Sequence, residues 1–287
     1  MTAWEIAESA SRAKGPSAPS EDRLTLATSG WIAAIDGATD KSGRDYGGMT
    51  GGARAADCVA ETLSSLPAGT APAEAVARIT QGLADLRAKW DIPLDDPVAP
   101  SAVAAVLVPD LELVWRVGDV HIALRTADTW TYHAAGKTVD DVLAGARAAY
   151  LHCLLASGRT ADELADTDPG RALILPVLEQ QGRLANQSGP YGYGVLDGTS
   201  VPESYVEVFP LAGVEEVVLA TDGYLSAAPA LDAAESALAL SLSEDPLRMT
   251  THPGTKGVKP GASSFDDRTY IRLLRRTGAA GPATVEA

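Results

Sequence analysis

Aspartate followed by glycine, at the end of an apolar run, occurs twice in this chain in a form suited to metal chemistry. Asp36 lies in IDGATD (residues 35–40) and Asp222 in LATDGY (residues 219–224). A third segment, FDDRTYIRL (residues 265–273), opens an apolar run with the pair Asp266 and Asp267. A strand end holds a carboxylate rigidly, and the following glycine lets the backbone turn sharply, so that its carbonyl can face the same ligand. Several such ends at one edge of a sheet would make an all-oxygen nest for hard divalent cations. Carboxylates that close raise one another's pKa until a cation removes the penalty.

These ends need strands to carry them, and the chain supplies strand patterns. LTLATS and WIAAID read as short strands joined at Ser29-Gly30. AVAAVLVP and LELVWRVGD read as a buried hairpin turning at Pro109-Asp110, and HIALRT, TWTYH, SYVEVFPL, EEVVLATD and RTYIRLLR continue the series. Helical periodicity covers residues 53–66, 73–90 (Val76, Ile79, Leu83, Leu86) and 139–156 (Val142, Ala146, Ala149, Leu151, Leu154). A shorter helix broken at Pro176 and another over residues 227–243 complete the set. Hairpins joined by short turns, with helices in blocks, predict an α+β fold with helices outside paired, largely antiparallel sheets. One domain over residues 21–277 is expected, after a lead-in over 1–20 and before a disordered tail over 278–287.

Composition narrows the partners. Of 287 residues, 46% are hydrophobic, which is ample for a core, and 23 basic against 38 acidic residues leave a net charge of −15. That field repels nucleic acid and anionic membranes, and excludes both as default partners. It also repels a phosphorylated substrate, so a bound metal would have to reverse it locally. Cys58 and Cys153 are isolated thiols in helical patterns and read as core residues, not a disulfide framework. No apolar run approaches the roughly 20 residues of a membrane span, and the N-terminus lacks a signal-type apolar core, so a cytoplasmic protein is expected.

The order of motifs resembles a known family. Glu21-Asp22 comes first, then strand-Asp36-Gly37, then Gly118-Asp119 after a strand. A long helical insertion precedes strand-Thr221-Asp222-Gly223, and Asp266-Asp267-Arg268-Thr269 opens the final strand. This succession, from Glu21 to Leu274, is similar to the metal-dependent protein phosphatases of the protein phosphatase 2C type, in bacterial form. The resemblance implies a four-layer αββα sandwich with two Mg²⁺ or Mn²⁺ ions at one end of the sheets. It implies that Asp36 bridges the ions, that the Gly37 carbonyl binds one of them, and that Asp222 and Asp266 complete the first ion's protein ligands. Asp266 rather than Asp267 matches the ligand position. Glu21 would serve the second ion, with Asp22 beside it, and Asp119 would help hold a weaker third. Two divalent ions about 3.5–4 Å apart lower the pKa of a bridging water, and the resulting hydroxide attacks phosphorus in line. The expected activity is therefore hydrolysis of a phosphomonoester, with a Ser/Thr phosphoprotein as substrate.

The chain also departs from that pattern. Ala38-Thr39 stand where many members have a histidine, Ser226 stands in place of an acidic residue, and no basic residue shortly precedes Glu21. Arg23, Lys41 and Arg44 are the candidate replacements for the missing cation, with Arg44 favoured. The four histidines, His121, His133, His152 and His252, share no metal-ligand spacing. The loop over residues 191–198, with Asp197-Gly198, could shape a lid or be only a structured surface loop; Asp119 could be no more than a turn cap. GMTGG (residues 48–52) lacks the Lys-Ser/Thr of a nucleotide loop and reads as a tight turn into a helix. Two alternatives stand beside the first reading: an inactive regulatory protein that binds a phosphorylated partner, and a phosphatase of small phosphorylated metabolites.

Overall fold

The computed structural model describes residues 4–16, 19–39, 41–134 and 136–276. Its ten strands are β1 (Trp4–Arg12), β2 (Arg23–Leu26), β3 (Ile32–Gly37), β4 (Ala102–Val108), β5 (Leu113–Val117), β6 (His121–Thr126), β7 (Thr129–His133), β8 (Glu207–Pro210), β9 (Glu216–Ala220) and β10 (Arg268–Arg275). They form two five-stranded sheets, in the orders β1-β10-β9-β6-β7 and β2-β3-β4-β5-β8. Every pairing is antiparallel.

Period-two alternation along the central strands sets the layers. Ala33 and Ile35 of β3 face outward onto helices α1 (Gly51–Ser65) and α2 (Pro72–Lys89), where they pack with Val59, Leu63, Ile79 and Leu83. Ile32 and Ala34 face the other way, into an inter-sheet core with Ile122, Leu219, Ile271 and Leu273. The outer face of the second sheet (Ala123, Val218, Tyr270) is covered by Ala234 and Leu238 of α6 (Leu231–Glu244). Helix, sheet, sheet, helix is thus the layer order. All seven residues of β4 are buried, and each such Val or Leu contributes roughly 1.5–3 kcal/mol relative to exposure.

The remaining helices form the insertion between β7 and β8: α3 (Thr138–Ala156), α4 (Ala161–Thr167) and α5 (Pro169–Gln180). Here the expectations need correction. The buried face of α3 is Val139, Leu143, Ala144, Arg147, Ala148 and Leu151, not the one centred on Val142 and Ala146. A buried arginine occupies that face, which apolar periodicity does not count. Cys153 is exposed on the outer side of α3, and Cys58 is half-buried. Helix α5 runs through Pro176 unbroken, because Gly170, Ile174 and Leu178 keep one buried face across it. Helix α4 was not expected, although Thr160 and Glu163 form a capping box at its start.

The stretch read as a lead-in contains strand β1, which pairs along β10 and buries Trp4. Apart from Ile6, which is exposed, its remaining side chains are small or charged, so the sequence carries little alternation there. No helix among the described residues is long and apolar enough to cross a membrane.

Candidate active site

Six carboxylates line one cavity of about 530 Å³, and four of them, Asp36, Asp119, Asp222 and Asp266, come from strand ends remote in sequence, while Asp140 and Asp141 belong to the first turn of α3. Asp36 is the penultimate residue of β3, opposite Val103 on β4. Asp222 lies just past the end of β9, Asp266 just before β10, and Asp119 in the turn between β5 and β6. Glycines allow these ends to come together. A Cβ on Gly37 would strike the Gly52 carbonyl and come 2.7 Å from the Glu21 carbonyl oxygen, so the end of β3 packs directly onto the start of α1. A Cβ on Gly223 would strike the Asp267 carbonyl, which leaves only glycine room between Asp222 and the start of β10.

The charges are strongly coupled. Burial, then the neighbouring Asp222, Asp22 and Asp266, push the Asp36 carboxyl well above the usual carboxylate range. Burial, with Asp266 and Asp119 nearby, raises Asp222 to about 6. Burial likewise raises Asp22 to about 7, against the Thr221 hydroxyl that donates to its Oδ2 at 2.8 Å. Burial would raise Asp266 too, but Lys256 and Lys14 outweigh it and hold it below the ordinary value. Asp222 is open to the cavity, while protein hems it in on its other sides.

Glu21 and Asp22 stand behind this floor instead of lining it. Glu21 Oε1 accepts from Thr50 Oγ1 at 2.6 Å, at the N-cap of α1. Asp267 accepts from the backbone N–H of Lys14 at 2.7 Å and of Glu21 at 2.9 Å, which pins the N-terminal segment to the start of β10. Asp266 faces the cavity, while Asp267 is a buried tether. A relay from Thr269 N–H to Thr221 Oγ1 (2.8 Å) and on to Asp22 joins β10, β9 and the start of β2.

A basic residue does precede Glu21 after all. Lys14 reaches back to Glu21 Oε2 (3.2 Å), Asp266 Oδ1 (3.3 Å) and Asp267 Oδ2 (3.4 Å). Its ammonium pKa is raised: burial opposes the charge, but Asp266, Glu21 and Asp267 prevail. Lys256 holds the other Asp266 oxygen at 2.5 Å and donates to Thr39 Oγ1 at 3.2 Å. Lys137 pairs with Asp119 at 2.9 Å. None of these three lysines sits in a recognisable motif; the topology alone delivers them.

Of the three cations singled out by sequence, only Lys41 lines the cavity. Burial and the nearby Arg171 and Lys137 lower its ammonium to about 8. Arg44 is on the surface, paired with Asp96 at 2.8 Å, and Arg23 pairs with Asp57 of α1 at 2.5 Å. His121 and His252 also line the cavity; burial lowers the His121 imidazole below its ordinary value, against the pull of Asp119. Asp197 locks its own turn by accepting from Thr199 N–H (2.8 Å) and Oγ1 (2.7 Å). The loop that carries it is packed through buried Val195 and Leu196, with Tyr193 on the cavity wall. Asp40 lies outside the described residues, as do Ser17, Ala18 and the tail from Thr277.

The donor chemistry fits hard divalent cations: carboxylate oxygens at one sheet end, mutually repelling, with no thiol among them. Among the described residues, no three His, Cys, Asp or Glu side chains stand ready-grouped around one point, and Lys14 and Lys256 balance Asp266 instead. By sequence, no protein-family model and no curated protein matches the chain. Solved structures do. The serine/threonine phosphatase PstP/Ppp of Mycobacterium tuberculosis superposes at a TM-score of 0.50 and 16% identity, covering 96% of this chain and 99% of that one. A bacterial serine phosphatase bearing a point mutation gives a TM-score of 0.50 at 11% identity, covering 95% and 98%. The fold of this chain is therefore that of the bacterial protein phosphatase 2C-type enzymes.

Proposed function

We propose that this chain is a divalent-metal-dependent phosphomonoester hydrolase acting on phosphoserine or phosphothreonine in proteins. One observation carries the reading: Asp36, Asp222 and Asp266, from three remote segments, line a single cavity in a fold shared with bacterial serine/threonine phosphatases. In this reading Asp36, Asp222, Asp266 and the Gly37 carbonyl would hold two Mg²⁺ or Mn²⁺ ions, with Asp36 shared between them; Glu21 would serve the second after turning from Thr50 and Lys14 towards the cavity, and Asp119 would contribute to a weaker third. Once bound, the ions would acidify the attacking water and offset charge on the phosphoryl oxygens.

The chain's own residues do the rest. The Asp22–Thr221–Thr269 relay fixes the ends of β9 and β10, and so the spacing of Asp222 and Asp266. Lys14 and Lys256 balance Asp266 and must give up part of that contact when a cation arrives. Lys41, with its ammonium near 8, is suited to give a proton from Nζ to the leaving oxygen, the task for which this chain has no histidine after Gly37. The same reading places the protein in the cytoplasm.

The test is hydrolysis of para-nitrophenyl phosphate and of a phosphothreonine peptide, with and without Mn²⁺, for the parent chain and Asp222→Asn. We expect metal-dependent turnover that the substitution lowers by at least about a hundredfold (about 2.7 kcal/mol at 1.36 kcal/mol per decade), and a preference for the peptide. Absence of turnover by folded protein in saturating Mn²⁺ would remove the enzyme reading and leave a phosphate-recognising regulator. A preference for small esters would move the substrate to metabolites.

A further inference from the structure

Arg248 is held in an unusual way. It lies between α6 and β10, on the wall of the same cavity as Asp222 and Asp266. Its backbone is in the left-handed region, at φ 49°, where a side chain other than glycine is strained. Neighbouring contacts hold that strain in place. The Asp245 carboxylate accepts from Met249 N–H (2.9 Å) and Thr250 N–H (2.7 Å), and the Arg248 carbonyl accepts from Arg147 Nη1 (3.2 Å) and Gly254 N–H (3.1 Å).

The guanidinium is fixed as well. Its carbon lies 3.6 Å from the centre of the Phe265 ring, and a Cβ on Gly254 would come 2.7 Å from Nε. The planar group therefore occupies a slot that the Phe265 ring and the Cβ-free Gly254 leave for it, and Phe265 immediately precedes Asp266 in sequence. Within that slot Nε and Nη1 are buried, and among the described residues no protein group accepts from either. Burial lowers the pKa of the guanidinium, against the pull of Asp222, Asp245 and Asp266. None of those carboxylates approaches it within ion-pair distance among the described residues. Two buried donors on a stacked, half-buried guanidinium, with no protein acceptor for either, are costly unless an acceptor arrives to use them.

We propose that Arg248 is the phosphoryl-binding cation of this site, its guanidinium donating in a bidentate fork to two oxygens of a phosphate group at the carboxylate cluster, with Phe265 and Gly254 as its platform. The inference rests on the hydrolase reading and goes further: it assigns the grip on the tetrahedral oxyanion to the α6–β10 loop. The geometry suits the task, because Arg–phosphate pairs are planar and bidentate, and a stacked guanidinium has little freedom left to lose on binding.

The probe is inorganic phosphate, measured by calorimetry with Mn²⁺ present and as a competitive inhibitor of para-nitrophenyl phosphate hydrolysis. Arg248→Lys keeps the charge and loses the fork; Arg248→Gly loses both but relaxes the backbone at φ 49°, so it should fold at least as well as the parent. Arg44→Ala, on the surface, is the control. We expect Arg248→Gly to weaken phosphate binding at least tenfold and to raise KM, with no fall in thermal midpoint; Arg248→Lys should lie between. A merely structural role would lower the thermal midpoint and leave phosphate affinity in place. Phosphate affinity of Arg248→Gly within twofold of the parent overturns the assignment, as does failure of the parent to bind phosphate at all. Should Arg248→Gly not fold, Arg248→Lys decides by the same comparison. Failure of the hydrolase reading is separable: the folded parent would then show no metal-dependent turnover, whereas phosphate affinity by calorimetry would still report on Arg248.

Discussion

Asp222 illustrates how the site's carboxylates act on stability as well as on binding. In the folded, metal-free chain its carboxyl is raised from the ordinary 3.8 to about 6, by burial first and by Asp266 and Asp119 next. The folded state therefore holds the proton more tightly than the unfolded one, and stability falls as pH rises through the window from about 4 to about 6. Asp222→Asn should remove this cost. We expect the metal-free variant to melt above the metal-free parent at about pH 7, and the difference to vanish near about pH 3, below both values. Saturating Mn²⁺ should reverse the order at about pH 7. A parent that melts higher than the variant at neutral pH without metal would contradict the coupled cluster. Such carboxylates were legible in the sequence because strand-Asp-Gly is a local signal: three residues suffice to announce a carboxylate fixed at a turn. Lys14, Lys137, Lys256 and Arg248 were not legible, because each lies in a loop with no local motif to mark it. Lys14 and Asp266 are 252 residues apart.

At the scale of elements, Arg147 joins the inserted helices to the loop that carries Arg248 and Lys256. It is fully buried on α3, pairs with Asp168 through Nε (3.0 Å) and Nη2 (2.9 Å), and donates from Nη1 to the carbonyls of Leu247 (2.8 Å) and Gly254 (3.1 Å). Asp168 also accepts from Arg171 N–H at the start of α5. One guanidinium thus fixes α3, α5 and the 247–257 loop relative to one another. Removing it would leave those carbonyls and Asp168 without their donor. Arg147→Ala should cost about 3–5 kcal/mol in denaturant unfolding, the range for breaking a buried pair from one side. It should also weaken phosphate binding although it never touches the ligand, while a loss under 1 kcal/mol would show that the insertion is held by its apolar contacts alone. Here the reading from sequence failed for an identifiable reason. Apolar periodicity placed a helix over residues 139–156 correctly but turned it to the wrong face, since it assigned a charged residue to solvent.

For the molecule as a whole, the first strand belongs to the core, not to a lead-in. Trp4 is buried in the inter-sheet layer with Leu273, and the Arg275 guanidinium sits 4.6 Å from its ring centre. Trp4→Ala should therefore cost about 3–5 kcal/mol, measured by chemical denaturation; a cost near zero would return the segment to the status of a surface arm. The layered α+β architecture was legible because hairpins and helix blocks repeat along the chain. The partner of the first strand was not, because it lies at the other end of the described fold. That arrangement bears on how the protein is made. The meander β2-β3-β4-β5 pairs neighbour with neighbour and can close as soon as it leaves the ribosome. The other sheet cannot, since β10 fits between β1 and β9. Until that last strand emerges, β1 and β9 wait with open edges that could recruit another nascent chain. Asp266 arrives with β10, so the carboxylate cluster is complete only once that strand has slotted between β1 and β9.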